Sequence, residues 1–325
     1  MATAKCFGQR DLLSWQEKYA RNLARLSPIN RKSRVNIARL VTFLLCCSFS
    51  CGCGSKGPRQ TLHFKATPLP GANSTEIDLA TAKRIVTARV KAAKLRRAFD
   101  VDTAGLNQLE VSVFGANPED LEKVKLFVTS VGSLEFAAVA HDDVDVEIIA
   151  LAKDAEREVR VDGNVVAEWL PVDRGQDGVA KPEFVMQPTV VSRERNEDGN
   201  TILEWLIVYM PGMRITSDQL QAVDAAFDQA GNPCVGFSLK PEGAANMFAT
   251  TTELSARTAT TPRRLAIIFN GTIVTAPTVQ SAINSGGQIT GEFTQDDVER
   301  TAMVLRSGRL PCLLTFDKLT KETDN

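Results

Sequence analysis

The sequence predicts an α+β fold in two parts, and three observations predict it. Between Thr61 and Val139 the order is strand, helix, strand, helix, strand. That is most of a split βαβ unit with its helices on one face of the sheet. From Arg264 to Pro311 the chain reads strand, turn, strand, helix, helix, strand, and each turn carries its own residues. The length of 325 residues suits about two domains, and 43% hydrophobic with 24% charged residues is a globular composition. Aromatics make up only 6%, so the cores must be built from Val, Ile, Leu and Ala.

Residues 61–67 alternate and read as the first strand, ended by Pro68, Pro70 and Gly71. Ser74-Thr75 followed by Asp78 starts a helix, because the two hydroxyls can accept from first-turn amides. It runs to about Phe99, with Ile85, Val86, Val90 and Ala93 on its apolar side and its Lys and Arg residues on a solvated face. Residues 109–114 form a second strand, and Pro118-Glu-Asp opens a second helix reaching Val131. Leu134–Val139 is a third strand.

Residues 141–205 differ in character. Residues 141–147 carry four acidic residues, a set that would suit calcium. They lack the turn glycine and spacing of a calcium loop, so a solvated strand entry is the preferred reading and no metal is assigned. A helix is expected over 148–161, strand pieces near 164–170 and 184–191, and exposed loops at 173–178 and 194–200. Residues 202–210 are a strand ending at Pro211-Gly212.

From Ser217 a helix is expected through Leu220, Val223 and Phe227 to Gly231, then an extended segment over 234–239 and a helix over 243–254. Residues 263–269 are a buried strand. Asn270-Gly271 is a hairpin turn, since both central residues of the favoured turn need positive φ. Residues 272–275 return and Pro277 breaks the strand. A short helix over 279–284, a turn at Gly286-Gly287 and a strand over 288–291 follow. Thr294 caps a helix with Asp296 and Asp297 in its first turn, ending near Ser307-Gly308. Residues 310–316 are the last strand, and the charged tail frays.

Charge is unevenly placed. Residues 1–53 hold nine basic and two acidic residues, so they carry +7 and the rest −8 in a chain of net charge −1. An acidic mature domain excludes nucleic acid as a partner of choice. Five of seven cysteines also lie in residues 1–53, four of them in Cys46-Cys47-Ser-Phe-Ser-Cys51-Gly-Cys53. That spacing is not a paired zinc motif. Upstream stand Arg31, Lys32, Arg34 and Arg39, then the apolar run 40–45, the pattern of a secretory signal. A signal ending in cysteine suggests a bacterial lipoprotein. Cys53 follows Gly52 and precedes a Gly-Ser-Lys-Gly tether, and Cys51 follows Ser50, so these are the lipidation candidates. Ser50 and Ser48 stand where such signals usually carry leucine. The expected place is the cell envelope, anchored to the membrane and facing the periplasm, with release as a secreted soluble protein as the alternative.

Over residues 206–316 the motifs resemble the SecD protein-export family. The blocks are Pro233-Cys-Val-Gly-Phe-Ser-Leu239 with Gly243, Phe248 and Thr252; Leu265-Ala-Ile-Ile-Phe-Asn-Gly271 with Val274 and Ala276-Pro277; Ile283, Gly287, Ile289-Thr-Gly291 and Phe293; and Val304-Leu-Arg-Ser-Gly308 with Leu310-Pro311. Asn270 stands where the family usually has aspartate. Upstream, Arg89-Val90 and Gly132-Ser-Leu-Glu-Phe136 resemble the family's base region, while Val113-Phe-Gly-Ala116 departs from its Leu-Pro-Gly turn.

The resemblance implies a ferredoxin-like base of split βαβ type with an inserted α+β head. Its divisions are a leader at 1–53, a tether at 54–60, base at 61–140, a divergent connection at 141–205, head at 206–308, a return strand at 309–318 and a tail at 319–325. It also implies a role in Sec-dependent export: an unfolded secretory polypeptide as client, Sec translocon membrane subunits as partners, and Phe237 and Phe248 as client-binding candidates. Asn270, Gly271, Pro277, Gly291, Gly308 and Pro311 are its turn and motif residues. SecD proteins couple movement to proton flow through membrane helices with an Asp and Arg relay; the sequence up to Asn325 carries no such run, so no intrinsic proton conduction is expected.

No enzyme and no cofactor are expected. His63 and His141 are the only histidines, Gly236-Phe-Ser238-Leu-Lys240 lacks the second glycine of a nucleophile elbow, and no phosphate or dinucleotide loop is present. An envelope lipoprotein using the fold as a scaffold or peptide-binding module is the alternative function, and a hydrolase the third.

Overall fold

The computed structural model describes residues 57–69, 76–95, 97–175, 177–185, 187–197, 199–210, 214–255 and 263–322. The expectations for Pro70, Gly71, Ser74, Thr75, Pro211, Gly212 and the cysteine-rich leader lie outside them. The chain is α+β, as the sequence predicts.

The smaller sheet has the order β15 (Cys312–Lys321), β1 (Arg59–Pro68), β3 (Gln108–Phe114), β2 (Phe99–Ala104), every neighbour antiparallel. Strands β1 and β2 are therefore parallel with β3 between them, and β3 and β15 are parallel with β1 between them. Helix α1 (Leu79–Ala92) makes the first crossover and α2 (Pro118–Thr129) begins the second. This order is compatible with the expected split βαβ unit. One face buries Leu62, Phe64, Val111, Val113 and Leu314 against Ile85, Val86, Val90, Val124 and Val128 of the helices. Asp78 caps α1 by accepting from the Thr81 amide at 2.9 Å, and Asn117 and Asp120 form a capping box on α2.

Several expectations are corrected here. Helix α1 stops at Ala92, Lys94 just past it takes a φ of 51°, and β2 begins at Phe99, where the helix was expected to end. Strand β15 runs to Lys321, paired with Gln60, so the tail expected to fray is strand as far as Lys321, and the first strand begins inside the expected tether.

The strand Leu134–Val139 (β4) does not belong to this sheet. It pairs with β12 (Leu265–Phe269) on one side and with β8 (Asn200–Val208) and β9 (Ile215–Thr216) on the other. The reason is burial on both faces: Leu134, Phe136 and Ala138 enter one core, Ala137 and Val139 another. The larger sheet continues through β6 (Asn164–Pro171) to β5 (Glu158–Val161), and through β12 to β13 (Thr272–Thr275). It curls until Val172, just past β6, bridges Ile273 of β13, with the Asp173 amide donating to the Ile273 carbonyl at 2.9 Å. Ala137, Val139, Leu170, Trp205, Ile207, Ala266, Ile268 and Ile273 fill the ring so closed, with Phe184 edge-on to Trp205 at 5.2 Å.

Within residues 141–205 the expected helix over 148–161 is α3 (Val146–Ala152) followed by β5. The expected strand near 184–191 does not form: a 3-10 turn, Pro182–Phe184, leads into it, and among its described residues only Val190 makes a bridge, to His141. The loop expected at 194–200 is a hairpin of β7 (Ser192–Glu197) and β8, turned at Gly199, whose φ is 82°. Charged alternation in β7 reflects exposure, and Glu204 beneath it is buried between Arg193 and Arg195.

A third sheet packs on the outside of the ring: β10 (Leu220–Phe227), β11 (Pro233–Leu239), β14 (Gly286–Ile289). Helices α4 (Pro241–Leu254) and α5 (Gln295–Ser307) join its core through Met247, Leu254, Val298, Ala302 and Leu305. The helix expected from Ser217 is a 3-10 turn, Ser217–Gln219, and then β10. Leu220, Val223 and Phe227 do have helical spacing, but pairing with β11 and the turn at Asp228, whose carboxylate accepts from the Ala230 and Asn232 amides, favour the strand. Gly286 and Gly287 are strand rather than turn, because β14 lies against β11 so closely that a Cβ at Gly286 would strike the backbone of Phe237 and Ser238. No helix forms over 279–284; Val279 and Ile283 donate their amides to the Arg263 carbonyl and the Thr251 hydroxyl. Among the described residues no helix is long and apolar enough to cross a membrane.

Candidate functional site at the junction of the two sheets

Among the described residues the chain passes between the smaller sheet and the rest at two places, after α2 and after α5. Both meet on Arg89. Its position, four residues after Ile85 and next to Val90, puts it on the buried stripe of α1, and it is 0% exposed. Its Nη1 donates to the Phe127 carbonyl at 3.0 Å and to that of Ser130; its Nη2 donates to Val131 at 3.2 Å and Gly308 at 2.8 Å. No described carboxylate pairs with it. Burial pulls its pKa down to about 10. The sequence reading placed the basic residues of this helix on a solvated face; Arg89 is the exception, and its place within the apolar spacing was the available signal.

The two crossings touch each other directly: the Leu310 amide donates to the Val131 carbonyl at 2.8 Å. Gly308 ends α5 with a φ of 92°, and Gly132 opens the other crossing with a φ of 78°. The hairpin residue Asn270 holds the first crossing. Asn270 and Gly271 have φ of 51° and 80°, the pair of left-handed residues the two-residue turn needs. The Asn270 Oδ1 accepts from the Gly132 amide at 2.7 Å and Ser133 at 3.2 Å, and its Nδ2 donates to the Ser130 hydroxyl at 2.8 Å. Asn270 is therefore a junction residue as well as a turn residue. An aspartate could keep both acceptor bonds here, but not the donor.

The other singled-out residues scatter. Pro277 is exposed past β13, with its carbonyl accepting from the Leu265 amide at 3.0 Å. Gly291 lies under the Phe293 ring, where a Cβ would stand 3.0 Å away, and Pro311 directly precedes β15. Phe237 is partly buried on the core, its ring 5.0 Å from that of Phe136, whereas Phe248 on α4 is 47% exposed. Cys51 and Cys53 lie outside the described residues.

The histidines stand apart, His63 on β1 and His141 just after β4. His63 lies between the Glu110 carboxylate, 3.0 Å from Nδ1, and the Thr320 hydroxyl, 2.9 Å from Nε2. This has the order of a relay, but the three sit on adjacent strands β3, β1 and β15 of a laddered sheet. Such a surface offers no pair of free amides to stabilise an oxyanion. His141 is buried; its Nδ1 accepts from the Asp143 amide and lies 3.2 Å from Asp142, and these three residues bring their ligand atoms within 4.8 Å of one another. Asp145, in the same acidic run, turns inward to pair with Arg263 and to accept from the His141 amide.

Residues 190–312 match the family model for the SecDF P1 head subdomain. Over these residues the chain is similar to SecD. SecD of Aquifex aeolicus is 39% identical over 102 residues, 31% of this chain and 19% of that protein. SecD of Dictyoglomus turgidum is 34% identical over 98 residues, 30% of this chain and 23% of its own. SecDF of Thermus thermophilus is 37% identical over 99 residues, 30% of this chain and 12% of its own. The chain thus matches less than a quarter of the length of these translocase subunits. A solved structure described as a membrane component SecDF that enhances protein export shares the fold, with a TM-score of 0.51 at 22% identity over 79% of this chain and 98% of its own. The super-membrane-facing form of SecDF gives a TM-score of 0.51 at 21% identity, over 82% of this chain and 30% of its own. The SecD-like head match begins at β7 and ends at β15, so β4 and β6 complete its ring from residues that precede it.

Proposed function

We propose that this is an extracytoplasmic, membrane-anchored SecD-like protein that assists Sec-dependent export by transient binding of a translocating, unfolded polypeptide. The observation that carries the reading is the match of residues 190–312 to the SecDF P1 head. In this reading residues of the smaller sheet are the base, the ring and third sheet are the head, and Phe248 is the client contact. Its exposure on α4 suits an extended apolar segment, while Phe237 supports that surface from beneath through the core. The reading assigns no proton conduction to the described residues. Sec translocon membrane subunits are its partners.

Depleting the protein in its own cells tests the reading. Pulse-labelled secretory precursors accumulate in the export reading; unchanged processing rates reject it and favour an envelope scaffold. Anchoring is tested apart from export. Replacing Cys51 and Cys53 together with serine releases the protein from the membrane fraction, and full retention of that variant rejects lipidation at these positions.

A further inference from the structure

We propose that Arg89 is the clasp of the base–head junction, a single side chain that fixes the orientation of the two parts by holding both crossings at once. The proposal goes beyond the export reading and stands on the junction geometry alone. One planar guanidinium reaches four carbonyls: Phe127 and Ser130 at the end of α2, Val131 at the first crossing, and Gly308 at the second. A lysine at this position has neither the fork nor the number of donors to do so. Residues Val131 and Gly308 are far apart in sequence, yet both take their bond from Nη2. Releasing that nitrogen therefore loosens both crossings together.

What lies around the clasp is shaped to the guanidinium. The cation has no carboxylate partner among the described residues and its Nε is buried without an acceptor, so the engaged state is held by carbonyl dipoles alone. The backbone on each side turns at a glycine of positive φ. A side chain at Gly132 would stand 2.5 Å from the Arg89 Nη2 and 3.1 Å from Val304, so the crossing is shaped to admit the guanidinium. Among the described residues the other hydrogen bonds at the junction include the Leu310–Val131 bond and those of the Asn270 side chain to Ser130, Gly132 and Ser133.

The test uses the full chain labelled through keto amino acids at Leu106, in the β2–β3 turn, and Phe227, at the end of β10, both exposed. Distances between the labels are read by pulsed electron resonance in the wild type, Arg89→Lys and Arg89→Met. The clasp predicts one narrow population in the wild type and its loss to a broad or second population in both variants. A lowered melting temperature with an unchanged narrow distribution overturns the proposal, because a merely stabilising arginine predicts that pattern. Should both variants fail to fold, hydrogen exchange of the unmodified chain decides. The amides of Gly132, Ser133 and Leu310 open together, below global unfolding, if one clasp governs both crossings; exchange of these amides only through global unfolding overturns it.

Discussion

Gly132→Val destabilises the protein by about 3 kcal/mol, the sum of a left-handed backbone conformation forced on a branched residue and overpacking of a filled site. Gly132 has a φ of 78°, and an added Cβ would stand 2.5 Å from the Arg89 Nη2 and 3.1 Å from the Val304 Cγ1. Neither neighbour can give way cheaply. Moving Arg89 breaks its bonds to Val131 and Gly308, and Val304 is 1% exposed in α5. The expected loss in thermal midpoint is roughly 6–12 °C for a unit of this size. Gly105 is the control: its φ is 63°, but nothing lies near its Cβ, so Gly105→Val carries the backbone cost without the clash. Equal losses at the two positions contradict the packing described for the junction.

Asp145→Ala costs about 3–5 kcal/mol, because it leaves the buried Arg263 guanidinium without its counter-charge. Asp145 and Arg263 have side-chain exposures of 9% and 7%, and the same carboxylate accepts from the His141 amide at 2.8 Å. Among the described residues Arg263 then keeps a 3.3 Å bond to the Val139 carbonyl, and its Nε is already without a partner. The double variant Asp145→Asn with Arg263→Met retains an acceptor for His141 and removes both charges. It recovers more than half of the loss in chemical denaturation. A double variant as unstable as Asp145→Ala contradicts the assignment of the cost to the unpaired charge.

Local chemistry was legible in the sequence. Thr294 acts on the amide three residues on, and Asn270-Gly271 needs only its own backbone, so short-range residue choice reports them; the caps Asp78 and Asn117 act over the same three residues but read only as part of a helix start and of a turn. What depends on distant partners was not legible. Leu134–Val139 reads as a strand from its own pattern, but nothing within it says that its partners are β12 and β8. The spacing of Leu220, Val223 and Phe227 fits a helix, and only β11 makes it a strand. Gly286 and Gly287 carry the signature of a turn equally well when they permit close strand approach. Arg89 was hidden for a related reason: on a helix rich in Lys and Arg its charge reads as surface, and the carbonyls that accept it come from residues 127–131 and 308. The junction, unlike its turns, is a product of tertiary structure.

The most direct measurement places a photocrosslinking amino acid at Phe248 in intact cells while a secretory protein is arrested during export. An adduct between this protein and the arrested chain, absent when the label sits at exposed Leu106 on the smaller sheet, is the predicted result. No adduct from Phe248 or from the neighbouring exposed positions of α4, with export proceeding normally, would contradict the claim that this SecD-like head binds polypeptide in transit.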